Sequence, residues 1–379
     1  MTNNQRKKKR RMKKKKKLLL FALEVLILVV LLVVLYFFNM LNKIDFHELE
    51  DAGINEDMNS ETAFAMEGYT NIACFGLDNR GSGNYDTGNS DAILIASINN
   101  ETKEIRLASV YRDTYLSVGD GKYDKCNSAY QKGGAEQAVQ MLNSNLDLDI
   151  ADYVSVDWGA LVEVIDALGG LDLEITEEEA NMINAYLGDI VVMTGKNTTE
   201  VKDWGLVHLD GTQCTSYARL RKLAGDDYMR TARQRIVLQA MLNKAKEADL
   251  ITLTNICNSV FDHIGTSLSL KQLLLLAKDV QSYTLVETTG FPFELTTADL
   301  SSGSTVVPVE LDNNVAELHK WMFGEENYQT SQTVQSISDS IVKKSGVTEE
   351  NAKVVDTTKY NDIVDKNGTA VQKDGTEKK

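Results

Sequence analysis

The most constraining feature of the chain is a long apolar run near its amino terminus. Residues 18–38 read LLLFALEVLILVVLLVVLYFF and contain a single acid, Glu24. As an α-helix this run is roughly 31 Å long, which matches the hydrocarbon thickness of a bilayer. A cleaved signal peptide has a shorter apolar core followed by a small-x-small site, and this run has neither. The sequence therefore predicts one transmembrane helix over residues 18–40.

The charge on either side of this run predicts its orientation. Residues 1–17 contain eleven Lys or Arg and no acid, whereas the whole chain has 55 acids, 40 bases and a net charge of −15. Basic residues beside a span stay in the cytoplasm and contact anionic lipid. We therefore expect a cytoplasmic tail over 1–17, a polar stalk over 41–67 and an acidic extracellular part. A nucleic-acid partner is not expected, because a short basic tail without a folded module contacts only phosphates.

The extracellular part alternates short strands with amphipathic helices. Three strands are predicted over 70–77, 91–98 and 104–111, and the last two are joined by a hairpin loop. Apolar spacing and end signals, such as the capping box of Thr176 and Glu179, predict helices. They cover 135–146, 158–168, 176–187, 210–218 and 228–248. This alternation predicts an α/β (mixed α+β) fold with a central mixed sheet flanked by helices, in one domain over 68–328. The polar segment 329–379 is expected to be a disordered tail.

The common catalytic signatures are missing from the chain. It contains no P-loop motif, no H-E-x-x-H and no G-x-S-x-G, and its four His are isolated from one another. Its four Cys form no C-x-x-C pair. P-loop, zinc and serine-hydrolase chemistry are therefore not expected.

Arginine is concentrated at a few positions of the acidic part. Arg80 and Arg112 follow predicted strands, and five more Arg lie between residues 219 and 235. Arginine binds phosphate well because its planar guanidinium donates two parallel hydrogen bonds and remains charged when desolvated. Helical spacing places Arg230 and Gln234 on one face. Arg233 and Arg235 are instead expected to pair with surface acids.

Two carboxylates are expected close to these arginines. Asp78 ends the first predicted strand and Asp91 opens the second. If the two strands are neighbours, both side chains face one site at the same end of the sheet. One or two carboxylates together with substrate phosphate oxygens commonly hold Mg²⁺. Alone, two such Asp are usually turn residues, but the arginines favour a metal site.

Seven segments carry a resemblance to a known family. They are GLDNR (76–80), NSDAILIASI (89–98), YRDTYL (111–116), NSAYQKGG (127–134), VIDALGGLDLEI (164–175), HLDGTQCTSYARLR (208–221) and DDYMRTARQ (226–234). In order and spacing they resemble the LytR-CpsA-Psr family over about residues 68–250, and more weakly to about 325. The resemblance implies a membrane-anchored enzyme of a Gram-positive envelope. Such enzymes transfer teichoic acid, capsule or a similar glycopolymer from an undecaprenyl-pyrophosphate carrier to peptidoglycan, forming a phosphodiester.

The resemblance also implies roles for individual residues. Asp78 and Asp91 match the acids that bind Mg²⁺, or Mn²⁺ in its place. Asp113 and Asp227 match acids near the reacting groups, either of which could accept the proton of the attacking hydroxyl, and Arg112 is counted with them as catalytic. The residues that match the pyrophosphate-binding set are Arg80, Arg112, Arg219, Arg221, Arg230 and Gln234.

The chain departs from the family pattern at several positions. Asn89 stands where the family usually has Arg, Tyr111 replaces a usual Pro, and Cys126 and Cys214 replace aliphatic residues. The two Cys are either buried apolar fillers or, outside the cell, a disulfide. Two alternatives to transfer stay open. One is a pyrophosphatase acting on the same lipid. The other is a non-catalytic envelope binding or scaffold protein, which Asn89 supports because one expected phosphate contact is absent or supplied from elsewhere.

Overall fold

A computed structural model describes residues 45–58, 65–78, 88–221, 226–249, 252, 256 and 263–360. All of them belong to one unit, Asp45–Lys379. The predicted span over 18–40 and the predicted cytoplasmic tail lie outside the described residues. No helix in the described part combines the length and the apolar character that a bilayer crossing requires.

A seven-stranded mixed sheet organises the described residues. Its strands are, in spatial order, β1 (Asp45–Phe46), β10 (Ile264–Thr266), β7 (Asp152–Asp157), β2 (Tyr69–Leu77), β3 (Ser90–Asn99), β4 (Glu104–Val110) and β11 (Thr284–Phe291). Strands β2, β3 and β4 form an antiparallel meander, and the predicted hairpin joins β3 to β4. Strand β7 pairs in parallel with β2, and β11 pairs in parallel with β4. The expected mixed sheet is thus confirmed.

Three small two-stranded sheets accompany the central one. They pair β5 (Tyr115–Ser117) with β6 (Tyr123–Lys125), β8 (Leu171–Ile175) with β9 (Gly205–Leu209), and β12 (Leu295–Leu300) with β13 (Gly303–Pro308). The short bridge between Thr114 and Val306 links the residues after Arg112 to β13. The loop that follows β4 is therefore held on both sides.

Helices cover both faces of the sheet. They are α1 (Ser128–Leu146), α2 (Trp158–Ala167), α3 (Glu177–Thr194), α4 (Gly211–Ala218), α5 (Asp226–Glu247), α6 (Leu270–Lys278), α7 (Leu311–Phe323) and α8 (Gln332–Ser345). Helix α1 begins seven residues before the predicted helix, and a break at Gly133 and Gly134 interrupts it, where Gly134 adopts φ 66°. The capping boxes at Thr176 and Asp210 are both formed. Side chains of successive strand residues point to opposite faces of the sheet, so one strand contributes to a hydrophobic core on each face.

The largest core joins residues from both ends of the unit. Phe75 and Ile95 of the sheet pack in one cluster with α1, and the same cluster contains Leu318 of α7 and Ile341 of α8. A second cluster forms among α2 to α5, β8 and β9 and includes Ile165. On the opposite face of the sheet from Phe75, Leu94 packs near the partly buried side chains of α5.

The structure corrects two predicted boundaries. Residues 332–345, predicted to be disordered, form α8, because Val334, Ile337 and Ile341 recur on one side and are buried in the largest core. Residues 45–58, predicted to be a stalk, pack onto the unit: β1 extends the sheet, and Asn55 Nδ2 donates to Asp147 Oδ1 at 2.6 Å. Residues 45–58 and 329–360, which lie outside the predicted domain, are therefore part of the fold.

Of the two alternatives for Cys126 and Cys214, the disulfide is wrong and the buried apolar filler is confirmed. Cys126 and Cys214 are both free thiols and both buried. Cys126 belongs to the largest core and Cys214 to the second cluster. Burial raises the pKa of each thiol far above its usual value, because the apolar surroundings disfavour a thiolate. Both therefore act as apolar filling residues.

Candidate functional site

The predicted site residues gather at one end of the central sheet. Strands β2, β4 and β7 run in the same direction, so Asp78, Arg112 and Trp158 all follow the carboxyl ends of their strands. Strand β3 runs in the opposite direction, which brings Asp91 at its start to this same end. The pairing of the Asp78 N–H with the Asn89 carbonyl, at 3.3 Å, continues the β2–β3 ladder into the site.

Asp91 is the electrostatic centre of the site. Arg112 Nη1 donates to its Oδ1 at 2.7 Å, and Arg221 Nη2 donates to its Oδ2 at 2.8 Å. Burial alone would raise the pKa of the Asp91 carboxyl, but Arg112, Arg230 and Arg221 together lower it below the usual value. The carboxylate therefore stays ionised and fixes two guanidinium groups by charge-assisted hydrogen bonds.

Arg112 is also close to two further acids. Its Nε lies 3.7 Å from Asp113 Oδ2 and 3.7 Å from Asp227 Oδ2. Lys125 Nζ contacts the other oxygen of Asp113 at 3.0 Å. Burial lowers the pKa of Arg112, but Asp91 and Asp227 overcome that effect, so its pKa is raised overall. Arg112 therefore remains charged among three carboxylates.

Arg230 is the most buried arginine of the group. It is 2 % exposed, and its Nη2 donates to Asp227 Oδ2 at 2.8 Å and to the Asp91 carbonyl at 3.4 Å. Burial lowers the pKa of Arg230 to about 10, an effect that Asp227 offsets only in part. The Nε atoms of Arg112 and Arg230 are buried and have no hydrogen-bond partner within the described part of the chain. Buried donors without partners are costly, and the acids nearest to Arg112 Nε are Asp113 and Asp227, both at 3.7 Å.

An aromatic residue borders the polar site. The guanidinium of Arg219 lies 5.2 Å from the centroid of the Trp158 ring, and Trp158 Nε1 is 3.4 Å from Asp78 Oδ1. Arg219 Nη1 also points to Met193 Sδ, at 3.7 Å, near the end of α3. Arg219 is thus held by contacts that carry no negative charge, and most of its charge remains available to a ligand.

Two cavities meet at Trp158. The first is polar, measures about 330 Å³ and is lined by Asp78, Asn89, Asp91, Arg112, Trp158, Tyr186, Arg219, Arg221 and Arg230. The second measures about 360 Å³ and lies between the sheet and α5. Apart from Asp157 and Gln234 it is lined by apolar or aromatic side chains, among them Leu94, Leu107, Val156, Val237 and Leu285. Trp158 belongs to both walls.

The structure brings most of the predicted site residues together. Asp78, Asp91, Arg112, Arg219, Arg221 and Arg230 line the polar cavity, and Asp113 and Asp227 lie beside Arg112. Gln234 is an exception, because it lines the neighbouring apolar cavity. Arg80 lies outside the described residues.

Two arginines do not behave as expected. Arg233 is 3 % exposed and its Nε donates to the buried Glu179 Oε1 at 2.8 Å, which is an interior ion pair between α5 and α3. Arg235 is completely buried, and its Nη2 donates to the carbonyl of Tyr360. The expectation of surface pairing is wrong for both, because α5 is covered on these faces by α3 and by the carboxyl-terminal segment.

Three residues of the site were missed by the sequence reasoning. Lys125 contacts Asp113, and Trp158 and Tyr186 line the polar cavity. Trp158 could have been found had β7 been predicted, because the residue after a strand parallel to β2 reaches the same end of the sheet. Lys125 and Tyr186 arrive from β6 and α3, and no local signal identifies them.

Comparison with known proteins places the chain in a family. The family model LytR_cpsA_psr matches residues 34–320, which include the whole candidate site. The chain belongs to the LytR_cpsA_psr family. The resemblance inferred from the seven sequence segments is therefore confirmed.

A curated relative and two solved structures resemble this LytR_cpsA_psr protein. The polyisoprenyl-teichoic acid–peptidoglycan teichoic acid transferase TagU of Enterococcus faecalis is 31% identical over 214 residues, which are 56% of this chain and 65% of TagU. The match thus spans less than two thirds of that relative. A protein of Streptococcus agalactiae has a TM-score of 0.58 at 24% identity, over 71% of this chain and 92% of that one.

A second solved structure contains a lipid. It is the LytR-CPS2A-psr family protein YwtF (TagT) with bound octaprenyl pyrophosphate lipid, with a TM-score of 0.50 at 20% identity, over 80% of this chain and 100% of that one. At these identities the two structural matches establish a shared fold.

Proposed function

We propose that the protein transfers a glycopolymer, such as teichoic acid or capsular polysaccharide, from a polyprenyl-pyrophosphate carrier to peptidoglycan. The observation that carries the proposal is the junction of an arginine-lined polar cavity with an apolar cavity at Trp158. A pyrophosphate attached to a long hydrocarbon needs both environments side by side. Membership of the LytR_cpsA_psr family and the name of the TagU relative support the same reaction.

The pyrophosphate is proposed to bind among Arg112, Arg219, Arg221 and Arg230, which line the polar cavity. Phosphate oxygens would accept hydrogen bonds from the guanidinium groups that face this cavity, such as that of Arg221, whose side chain is 41% exposed. Charge-assisted hydrogen bonds of this kind are stronger than neutral ones. Arg80 is part of the proposed set on the basis of the family resemblance alone.

The polyprenyl chain is proposed to occupy the apolar cavity between the sheet and α5. Its walls carry aliphatic side chains such as Leu94, Leu107 and Val237. Each CH₂ group moved from water into such a cavity contributes about 0.8 kcal/mol. The octaprenyl pyrophosphate bound to YwtF (TagT) is a ligand of the same chemical class. Gln234, at this boundary, would contact the first isoprene unit or the phosphate next to it.

Mg²⁺, or Mn²⁺, is proposed as the cofactor, held by Asp78 and Asp91. Both carboxylates line the polar cavity, and Asp78 Oδ1 has only the long contact to Trp158 Nε1 among the described residues. No group of three or more His, Cys, Asp or Glu in the described part could hold a metal by itself. Two carboxylates completed by phosphate oxygens and water suit Mg²⁺, which would neutralise charge on the transferred phosphoryl group.

The proposed reaction is an in-line displacement at phosphorus. A hydroxyl of the peptidoglycan acceptor attacks the phosphorus that carries the glycan, so that a new P–O bond forms and the bond to the lipid phosphate breaks. Polyprenyl phosphate leaves, and the hydroxyl proton passes to Asp113 or Asp227. Both acids lie 3.7 Å from Arg112 Nε, so either can orient the attack close to the arginine that stabilises the developing charge.

The proposal includes attachment to the cell membrane. The apolar run 18–38 and the basic block before it support a single span with a cytoplasmic amino terminus and an extracellular folded unit. The membrane would confine the protein and its lipid donor to one surface, which raises their effective concentration.

Transfer, hydrolysis and binding without turnover are separated by one experiment. The detergent-solubilised full chain is incubated with a synthetic polyprenyl-pyrophosphate glycan and a peptidoglycan oligomer, with Mg²⁺ or with chelator. We expect acceptor-linked glycan that disappears with chelator and in Arg112→Ala. Arg106→Ala is the matched control, because Arg106 lies at the opposite end of β4 and contacts Glu287 at 3.2 Å.

The other products identify the alternatives. Free glycan phosphate formed without acceptor indicates a pyrophosphatase. Donor binding without any product indicates a binding protein. Asn89 favours the binding protein, because it lines the polar cavity where the family usually supplies an arginine. If Asn89→Arg raises turnover, the missing cation limits the rate.

A further inference from the structure

The last described segment of the chain, residues 353–360, contacts β12 and α5 close to the candidate site. We call it the strap. It lies beyond residues 34–320, the part matched by the family model. The Val355 N–H donates to the Leu295 carbonyl at 2.9 Å, and Thr296 Oγ1 donates to the Lys353 carbonyl at 2.9 Å. The strap thus runs along the outer edge of β12 before it turns towards α5.

The end of the strap is anchored by a buried charge. Arg235 of α5 is completely buried, and its Nη2 donates to the carbonyl of Tyr360. Its Nε and Nη1 have no hydrogen-bond partner in the described ranges, and burial lowers its pKa to about 10. Arg235 is kept in the interior at this cost and forms no ion pair with an acid of the described segments, so the strap carbonyl is its principal ligand.

Aromatic contacts connect the strap to the catalytic residues. The ring of Tyr360 stacks on Tyr228 with centroids 6.2 Å apart and planes at 16°. Tyr228 in turn contacts Tyr111 edge to face, with centroids 4.8 Å apart. Tyr228 directly follows Asp227, and Tyr111 directly precedes Arg112. Asp227 and Arg112 of the proposed reaction centre are therefore each adjacent in sequence to a tyrosine of one aromatic cluster.

The first turn of α5 contacts both the candidate site and the strap. Asp227 lies in that turn and reaches Arg112 Nε at 3.7 Å and Arg230 Nη2 at 2.8 Å. Tyr228 is held between Tyr111 on one side and Tyr360 on the other. Val355 packs on the same small cluster, which contains Tyr111, Leu295 and Val306.

We infer that Tyr360 is a positioning residue, which acts through Tyr228 and Tyr111 to hold Asp227 and Arg112 at their reactive spacing. The inference rests on the proposed transferase function where it is tested by transfer kinetics. The affinity for pyrophosphate provides a second, independent test. Misplacing a reacting group by about 1 Å can lower a rate on the order of 100-fold. A contact that fixes two such groups therefore has a measurable kinetic effect although it never touches substrate.

The test compares Tyr360→Ala, Tyr360→Phe and Val354→Ala in the full chain. Phe keeps the stacked ring and the backbone carbonyl that Arg235 binds. Val354 is in the strap but 55 % exposed, so its removal controls for a general disturbance of the segment. For each variant we measure kcat and KM of transfer, the affinity for inorganic pyrophosphate by calorimetry, and Tm.

We expect Tyr360→Ala to lower kcat on the order of 10-fold, with a change in donor KM of less than about threefold. Its affinity for pyrophosphate should fall severalfold, while Tyr360→Phe and Val354→Ala stay within twofold of the wild type. If Tyr360→Ala unfolds below the assay temperature, Tyr360→Leu replaces it, because Leu retains apolar volume without a ring. A kcat and an affinity unchanged in the ring-deleted variant overturn the inference, as does an equal loss in Tyr360→Phe.

The two proposals fail in different ways. A wild-type protein that binds pyrophosphate but forms no transfer product overturns the transferase, and the strap is then judged by the affinity of the variants. Transfer that is normal in every strap variant overturns the positioning role alone. A wild-type protein that neither binds pyrophosphate nor forms transfer product overturns both.

Discussion

Replacing Arg233 by Met should strongly destabilise the folded unit. Arg233 and Glu179 are 3 % and 3 % exposed, and the distance from Nε to Oε1 is 2.8 Å. Met matches the aliphatic part of Arg but leaves the Glu179 carboxylate buried without its cation. Breaking a buried ion pair in this way costs about 3–5 kcal/mol of the free energy of unfolding. For a folded unit of about 300 residues, this corresponds to a fall in Tm of roughly 5–8 °C.

The structure also predicts what restores stability. Glu179 Oε2 accepts from the Thr176 N–H at 3.0 Å in the capping box of α3, so Gln at this position can keep that acceptor while it loses its charge. The double variant Arg233→Met with Glu179→Gln should therefore recover at least half of the loss, because no buried charge remains.

Urea unfolding followed by far-ultraviolet circular dichroism measures both variants. The slope of the transition should be unchanged, since the surface exposed on unfolding is nearly the same. Two results would refute the assignment of a buried Arg233–Glu179 ion pair. One is a loss of unfolding free energy below about 1 kcal/mol in the single variant, and the other is a double variant no more stable than the single one. Arg233 Nη1 also donates to the Leu220 carbonyl at 3.3 Å, between Arg219 and Arg221, so pyrophosphate affinity should fall together with stability.

Three further predictions concern the site and the thiols. Arg112→Lys should weaken pyrophosphate binding about 10- to 100-fold by calorimetry, because one charge-assisted hydrogen bond contributes about 1.5–3 kcal/mol; a change within twofold contradicts the proposed role. Because the pKa of Asp91 is lowered in the folded state, its stabilisation is present above the unfolded pKa of about 3.9 and is lost as the pH falls through the lower folded value. Unfolding of Asp91→Asn should therefore depend less on pH below about 5 than that of the wild type, and parallel curves would argue against this. Finally, iodoacetamide should label neither Cys126 nor Cys214 in the native protein at pH 8, and both after denaturation, as peptide mass spectrometry can establish.

Local signals predicted the elements that position the site. Thr176 with Glu179 predicts the start of α3 by chemistry that lies within four residues, and that capping box forms. The ends of β2 and β4 were also predictable from the local sequence, and so were the positions of Asp78 and Arg112 beside those ends. The neighbouring placement of Asp91 needed one assumption, that β2 and β3 pair, which the structure bears out.

Contacts between segments that are distant in the chain could not be predicted from local sequence signals. Arg233 and Arg235 lie on α5 with spacings typical of surface residues, and only the packing of α3 and the strap makes them interior. Residues 332–345 are polar in composition, and as a helix they place three aliphatic residues on one side. That side is buried only because α7 and α1 pack in the same core. Tyr186 and Lys125 reach the site from elements that no motif connects to it.

The composition of the largest core has a consequence for how the chain is made. Met66 and Phe75 share that core with Ile337 and Ile341, which are synthesised more than 250 residues later. Until α8 emerges, one side of α1 has no partner, and its apolar residues are exposed to solvent or to other chains. The unit can therefore complete this core only after residue 341 has been synthesised, so termination before that residue should produce aggregating rather than partly active protein.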